Sequence, residues 1–249
     1  MNLDTAECTR LGYREVNQDR YCVVIGDAAV LLAVADGMGG HKGGERAAQA
    51  AIDSFVRAFK RERPLAGNTT QFLEQAIAEA HREVFALGAE LHYDHRPRTT
   101  CVLCIVAEGV ARWAHVGDSR AYLLRGGDVH LRTRDHSAVE SLYKQGQITE
   151  AQMQRHPLRN YVERCLGGEA EEPQVEIGEA VPLESGDVLL LCSDGVWAPL
   201  DEPTVGRLCD EGNDLDATLD DICDKAVASG APHSDNTTAV AIRWLGADE

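Results

Sequence analysis

Residues 99–132 read TTCVLCIVAEGVARWAHVGDSRAYLLRGGDVHLR, and this stretch decides the fold. Short apolar, β-branched runs predict four strands: Thr100 to Ala107, Val110 to Val116, Arg120 to Leu124 and Val129 to Arg132. Glu108-Gly109 and Gly126-Gly127 are hairpin-like connectors. Strands that meet through hairpins build antiparallel sheets, not a parallel sheet with crossover helices.

Working outward, the upstream chain carries two more short strands, Tyr21 to Gly26 and Val30 to Ala35, around the turn-prone Gly26-Asp27. A helix is expected from Gly44 to Lys60, because Ala47, Ala48, Ala51, Ile52, Phe55, Val56 and Phe59 keep the i, i+3, i+4 rhythm. RERPLAGN breaks it, and a second helix is expected from Thr70 to Leu91. Downstream, residues 136–170 are polar and expected to be helical in two pieces, with Thr149 and Gln152 spaced as a capping box. Strands at 174–178 and 187–192, helices at 203–211 and 215–229, and a strand from Thr237 to Trp244 complete the reading. No repeat or linker divides the chain. The expectation is one α+β domain over 1–249, two antiparallel sheets flanked by helix pairs.

Composition narrows the function. The 249 residues include 41 Asp and Glu against 24 Lys and Arg, a formal charge of −17. Such a surface repels nucleic acid and anionic lipid, so neither is an expected partner, and a nuclease is disfavoured. Eight cysteines sit largely in apolar runs and read as small buried hydrophobes. Cys101 and Cys104 form a C-x-x-C, but positions three apart on a strand face opposite ways and cannot easily share an ion. HYDHRPR (His92 to Arg98) reads as an exposed loop. MNLDTAECTR is no signal peptide and no apolar run approaches the length of a membrane span, so a cytoplasmic protein is expected.

The chemistry lies in a recurring pattern: an Asp beside a Gly or Asn where an apolar strand ends or begins. The instances are LLAVADGMGGH (Asp36), RWAHVGDSR (Asp118), VLLLCSDG (Asp194) and PHSDNTTAVAI (Asp235), with REVNQD adding Asp19 just before a strand. One Asp-Gly is ordinarily a turn. Five acidic motifs at strand ends can meet at one edge of a sandwich, where clustered carboxylates stay ionised only if cations hold them. Oxygen ligands without a matching Cys or His pattern favour Mg²⁺ or Mn²⁺. Gly37, Gly39 and Gly40 clear space for an ion or phosphate. His41 stands a few residues from Asp36 as a candidate general acid, and the planar fork of Arg14 can hold two phosphate oxygens.

Together, REVNQD (Arg14 to Asp19), ADGMGGH (Ala35 to His41), VGDSRAY (Val116 to Tyr122), RDHS (Arg134 to Ser137), RCLG (Arg164 to Gly167), CSDG (Cys192 to Gly195) and SDNTT (Ser234 to Thr238) resemble the ordered motifs of the protein phosphatase type 2C family, in its compact bacterial form. The resemblance runs from about residue 10 to 243. It implies a four-layer αββα sandwich and a metal-dependent protein serine/threonine phosphatase, a phosphoric monoester hydrolase. Asp36 would bridge two Mn²⁺ or Mg²⁺ ions, with the Gly37 carbonyl on the second and Asp194 and Asp235 completing the first. Asp118 with Asp194 would resemble the ligands of a third, weaker ion. Arg14 would bind substrate phosphate, and His41 would protonate the leaving group. Many members carry Glu where this chain has Gln18, which leaves Asp19 to serve the second ion directly or through water. Residues 137–170 would match a flap beside the site. Asn236, Ser119 and Arg120 are expected to support the site, not to act in it. The implied partners are phosphoproteins opposed by a serine/threonine kinase, with a monomeric enzyme. The competing reading is a non-catalytic phosphoprotein sensor on the same fold, against which stands the presence of Asp36, Asp194 and Asp235.

Overall fold

The computed structural model describes residues 1–38, 43–210 and 212–246. The strands are β1 (Asn2–Arg10), β2 (Asp19–Ile25), β3 (Ala29–Met38), β4 (Arg98–Thr99), β5 (Cys101–Ala107), β6 (Val110–Val116), β7 (Arg120–Arg125), β8 (Asp128–Arg132), β9 (Leu166–Gly167), β10 (Glu176–Ile177), β11 (Val181–Pro182), β12 (Val188–Cys192) and β13 (Thr237–Gly246). The helices are α1 (Gly44–Glu62), α2 (Thr69–Ala86), α3 (Ala138–Lys144), α4 (Glu150–Met153), α5 (Asp194–Trp197), α6 (Glu202–Gly206) and α7 (Leu215–Gly230). One sheet runs β1-β13-β12-β7-β8; the other runs β10-β6-β5-β3-β4-β9, with β2 on β3 and β11 on β6. Their pairings are antiparallel.

Alternation along the central strands builds three apolar layers. On β3, Leu31, Ala33 and Ala35 face α1 and α2, while Val30, Leu32 and Val34 face the other sheet. On β12, Val188, Leu190 and Cys192 face α7, while Leu189 and Leu191 face inward. Strands buried on both faces read as continuous apolar runs, since neither face meets water. The result is the expected αββα sandwich. Cys101 and Cys104 fall in different layers, so the C-x-x-C is two separate packing residues. The His92–Arg98 segment is a short 3₁₀ turn with exposed histidines, as expected.

Both connectors in the deciding stretch have positive φ throughout: Glu108 54° and Gly109 72°, Gly126 60° and Gly127 90°. That backbone matches the twist of two-residue hairpins.

The larger departures from the sequence reading have physical reasons. Strand β1 was not delineated, because only Ala6 and Cys8 of its nine residues are buried and its polar pattern hides the ladder it makes with β13. Helix α2 stops at Ala86, not Leu91: the Leu87 and Gly88 N–H groups bond back three residues, to Val84 O (3.2 Å) and Phe85 O (3.1 Å), and the Pro97 ring then packs against Gly88. The helix expected over 203–211 stops at Gly206, which packs flush against the Gly127 carbonyl, and continues as a 3₁₀ turn. The strand expected over 174–178 shrinks to Glu176–Ile177.

The polar 136–170 segment contains α3, capped by Ser137, and α4, where the Thr149 N–H donates to Gln152 Oε1 at 2.7 Å. Its two ends are pinned together by Ala138 N–H to Tyr161 O (3.0 Å) and Glu163 N–H to His136 O (2.8 Å).

Candidate metal centre

Five carboxylates converge at one end of the sandwich, each delivered by a strand end or a loop beside one. Antiparallel register places Asp19, the first residue of β2, opposite Asp36 on β3. In the other sheet, β12 delivers Ser193 and Asp194, and β13 is preceded by Asp235 and Asn236. Gly195 packs so closely on the Asn236 carbonyl that a Cβ would collide with it, which draws Asp194 and Asp235 together. Asp118 follows β6 in the loop to β7.

Hydrogen bonds stitch the two sheets at this edge. Ser193 Oγ donates to Asp19 Oδ2 at 2.7 Å. Asn236 Oδ1 accepts from the Gln18 N–H at 2.9 Å, and its Nδ2 donates to Leu11 O at 2.9 Å. Asp36 O accepts from the Thr100 N–H (2.9 Å) and from Thr99 Oγ1 (2.8 Å). The Asp36 N–H donates to Thr100 Oγ1 at 3.2 Å, which in turn shares a 2.7 Å bond with Ser119 Oγ. Asn236 and Ser119 therefore position the carboxylates from behind. Thr99, Thr100 and Ser193 do the same, and sequence reasoning did not single them out; their signal was adjacency to the Asp motifs or to the partner strand.

Glycine is required where the chain turns back after Asp36. A Cβ on Gly37 would collide with the Gly44 carbonyl, and one on Gly44 would meet the Gly37 carbonyl and Gln18 Nε2. Neutral Gln18 thus spends its amide near this glycine crossing. Gly39, Gly40 and His41 lie outside the described residues.

The electrostatics show what the cluster needs. Burial, and then the charges of Asp19, Asp194, Asp118 and Asp235, push Asp36 well above the usual carboxylate range. Burial, then Asp118, Asp235 and Asp19, do the same to Asp194. Burial lifts Asp19 to about 6, opposed by its Ser193 hydrogen bond. Burial and Asp135 lift Asp118 to about 7. Asp194 Oδ1 is buried without a hydrogen-bond partner. Oxygen donors that repel one another, one of them orphaned, are the donor set that hard divalent cations satisfy. The residues present fit such ions.

Among the described residues, the one ion pair in this cluster is Arg14 Nη2 to Asp235 Oδ2 at 2.6 Å. Both side chains are well exposed, 53% and 39%, so the pair sits at the mouth of the site and not in its floor. Asp36 and Asp194 make no ion pair with Lys or Arg among the described residues. Arg14, Glu15, Val16, Gln18, Asp235 and Asn236 line a cavity of about 220 Å³ there.

Asp118 and Asp194 are braced by a buried cation. Arg120 makes two 2.8 Å bonds to Asp135 and lies 3.5 Å from the ring centroid of Trp197. Trp197, on the helix that starts at Asp194, donates its Nε1–H to Asp118 O at 2.9 Å. Arg120 is thus a support, as expected.

A second group of metal-ligating types lies under the 136–170 segment: ligand atoms of His115, His136 and Glu176 stand within 4.8 Å of one another. The two imidazoles stack with centroids 4.5 Å apart and planes 12° apart. A metal ion lies in the plane of each imidazole that binds it, and near-parallel planes do not meet at one ion. His136 Nδ1 accepts from the Gly117 N–H (3.2 Å), which leaves Nε2–H to face Glu176 Oε2 at 3.3 Å. The group is a hydrogen-bonded brace.

Comparisons with known proteins agree with this geometry. The family model for protein phosphatase 2C matches residues 10–228. The chain is 34% identical over 220 residues to the serine/threonine phosphatase stp of Listeria innocua, covering 87% of this chain and 85% of that protein. The S. agalactiae serine/threonine phosphatase structure superposes with a TM-score of 0.89 at 28% identity, covering 98% and 100% of the two chains. The catalytic domain of the phosphatase PstP, solved with two manganese ions, superposes with a TM-score of 0.80 at 30% identity, covering 98% and 99%. With seven motifs in order, a matching sandwich and five convergent carboxylates, the chain belongs to the protein phosphatase 2C family of metal-dependent serine/threonine phosphatases.

Proposed function

We propose that the Asp19–Asp36–Asp118–Asp194–Asp235 edge is the catalytic centre at which this chain hydrolyses phosphoserine and phosphothreonine esters in proteins. The observation that carries the reading is electrostatic. Burial, and then four neighbouring carboxylates, push Asp36 well above its ordinary range, while the nearby cation, Arg14, reaches only Asp235. Asp36 would hold both core Mn²⁺ or Mg²⁺ ions, with Asp194 and Asp235 on the first and the Gly37 carbonyl and Asp19 toward the second. Asp118 with Asp194 would serve a third. When bound, the two metal ions would lower the pKa of water and offset charge on the phosphoryl group.

The chain's own groups do the rest. Arg14, exposed at the mouth, exchanges Asp235 for two phosphoryl oxygens and orients the ester. Ser193, Thr100 and Asn236 hold the carboxylates and their loops against recoil. His41 is assigned the proton delivered to the leaving alkoxide on sequence grounds. The whole chain acts as one domain, with 137–170 as a flap beside the site. Its substrates are phosphoproteins produced by a serine/threonine kinase, and it works as a cytoplasmic monomer without nucleic-acid or membrane partners. No described helix is long and apolar enough to cross a membrane.

The test is turnover of a phosphothreonine peptide with Mn²⁺, with and without chelator, in the parent and in Asp36→Ala. Turnover that survives both chelation and the substitution sinks the mechanism.

A further inference from the structure

The mouth of the site carries a charge that the chemistry above does not use. The 220 Å³ cavity is lined by Arg14, Glu15, Val16, Gln18, Asp235 and Asn236. Arg14 and Asp235 answer each other at 2.6 Å. Glu15 is exposed on the same wall and has no ion-pair partner among the described residues. Val16 beside it is 44% exposed, and Tyr13 on the other side of Arg14 is 61% exposed. The loop is tied down at the Tyr13 N–H, which donates to Ser234 O at 3.0 Å, so these side chains stand in a fixed relation to the Asp235 loop. The cavity therefore offers, in sequence order, a cation for phosphate and a carboxylate with an apolar neighbour.

We infer that Glu15 and Val16 form a subsite for a Lys or Arg residue flanking the phosphorylated residue of the substrate, so that the enzyme prefers phosphopeptides with an adjacent basic side chain. This rests on the phosphatase reading. With the phosphate on Arg14, the next substrate side chain passes over Glu15 and Val16. A Lys or Arg lays its methylene stem on Val16 and its charged head on Glu15, the amphipathic fit that long basic side chains make on mixed surfaces. An acidic side chain there meets Glu15 and a surface of net charge −17. The acidic surface attracts any basic peptide from a distance, whereas the Glu15 contact is local. Exposed ion pairs are individually weak, so reversal from a basic to an acidic neighbour is expected to change kcat/KM by about three- to thirtyfold.

The experiment measures kcat/KM with Mn²⁺ on phosphothreonine peptides carrying Arg, Ala or Glu immediately before or after the phosphoresidue. A small aryl phosphate serves as internal reference within each variant. The parent and Glu15→Gln are compared at low and high salt. The expected result is an Arg-over-Glu preference in the parent at one of the two positions, which Glu15→Gln reduces to near that of the salt-screened parent. Glu15 is exposed, and its replacement by an isosteric amide leaves the fold intact. Equal turnover of Arg and Glu peptides by the parent overturns the inference. So does a preference that Glu15→Gln leaves unchanged, which would assign it to the overall field. Absence of turnover on every peptide and on the aryl phosphate sinks the phosphatase reading itself and is distinct from both.

Discussion

Replacing Asp36 by Asn is expected to stabilise the metal-free protein while abolishing its response to Mn²⁺. Burial raises Asp19 from 3.8 to about 6, so holding it ionised at neutral pH costs about 3 kcal/mol. Asp118, raised from 3.8 to about 7, costs about 4 kcal/mol. Asp36 is pushed in the same direction and is repelled by the other four carboxylates. These folded-state values lie above the unfolded ones, so the metal-free protein holds its protons more tightly when folded. The stability contributed by these carboxylates is full below about pH 4 and is lost as pH rises through 6 and 7. An amide at position 36 has no charge to lose and keeps a donor for Asp19. Recovering about 2 kcal/mol of the repulsion would raise Tm by roughly 4–8 °C in a chain of this size. With Mn²⁺ at a hundred times its Kd, the parent gains about 2.7 kcal/mol, and Asp36→Asn gains nothing. The two proteins should therefore exchange order of stability when Mn²⁺ replaces chelator at pH 7.5, and the variant's kcat should fall on the order of 10³-fold. Thermal unfolding of both proteins under both conditions reads this directly. A variant less stable than the parent in chelator, or one that keeps its Mn²⁺-induced shift, would falsify the account of a repulsive cluster awaiting cations.

Arg14→Ala should lower kcat/KM for a phosphopeptide about 10- to 100-fold, the worth of a charge-assisted hydrogen bond, with KM carrying most of it in steady-state kinetics. Arg120→Met leaves Asp135 buried without its partner, and urea unfolding should show a loss of about 3–5 kcal/mol. Burial, reinforced by neighbouring His115, holds His136 down at about 4, against 6.5 for a free imidazole. Below pH 6.5 the unfolded chain takes up a proton that the folded one refuses, so stability falls on acidification toward pH 4 by up to about 3 kcal/mol. His136→Asn should flatten that slope relative to the parent, both in chelator; parallel pH curves would refute it.

The apolar runs of residues 99–132, with their two-residue connectors, were sufficient for the antiparallel class. A strand's length and a hairpin's backbone are local properties. The five Asp positions were legible for a similar reason, since each stands where an apolar run meets a Gly or Asn. Strand β1 was not, because its nine residues bury only Ala6 and Cys8 and its ladder is made with β13, more than 200 residues away. The end of the 203–211 helix also escaped, because Gly206 meets the Gly127 carbonyl from elsewhere in the chain.

The amino-acid order by itself determined which residues can carry charge, and that there are enough carboxylates beside glycines to hold divalent ions. Only the tertiary structure decided that they share one edge: Asp19 faces Asp36 across a strand pair, and Ser193 ties that pair to the sheet bearing Asp194 and Asp235. It also decided that Arg14 answers Asp235 while Glu15, at the mouth, has no ion-pair partner among the described residues. The physical reason is range. Backbone preference acts over a few residues, whereas repulsion between carboxylates depends on separation in space, which register between distant strands alone sets.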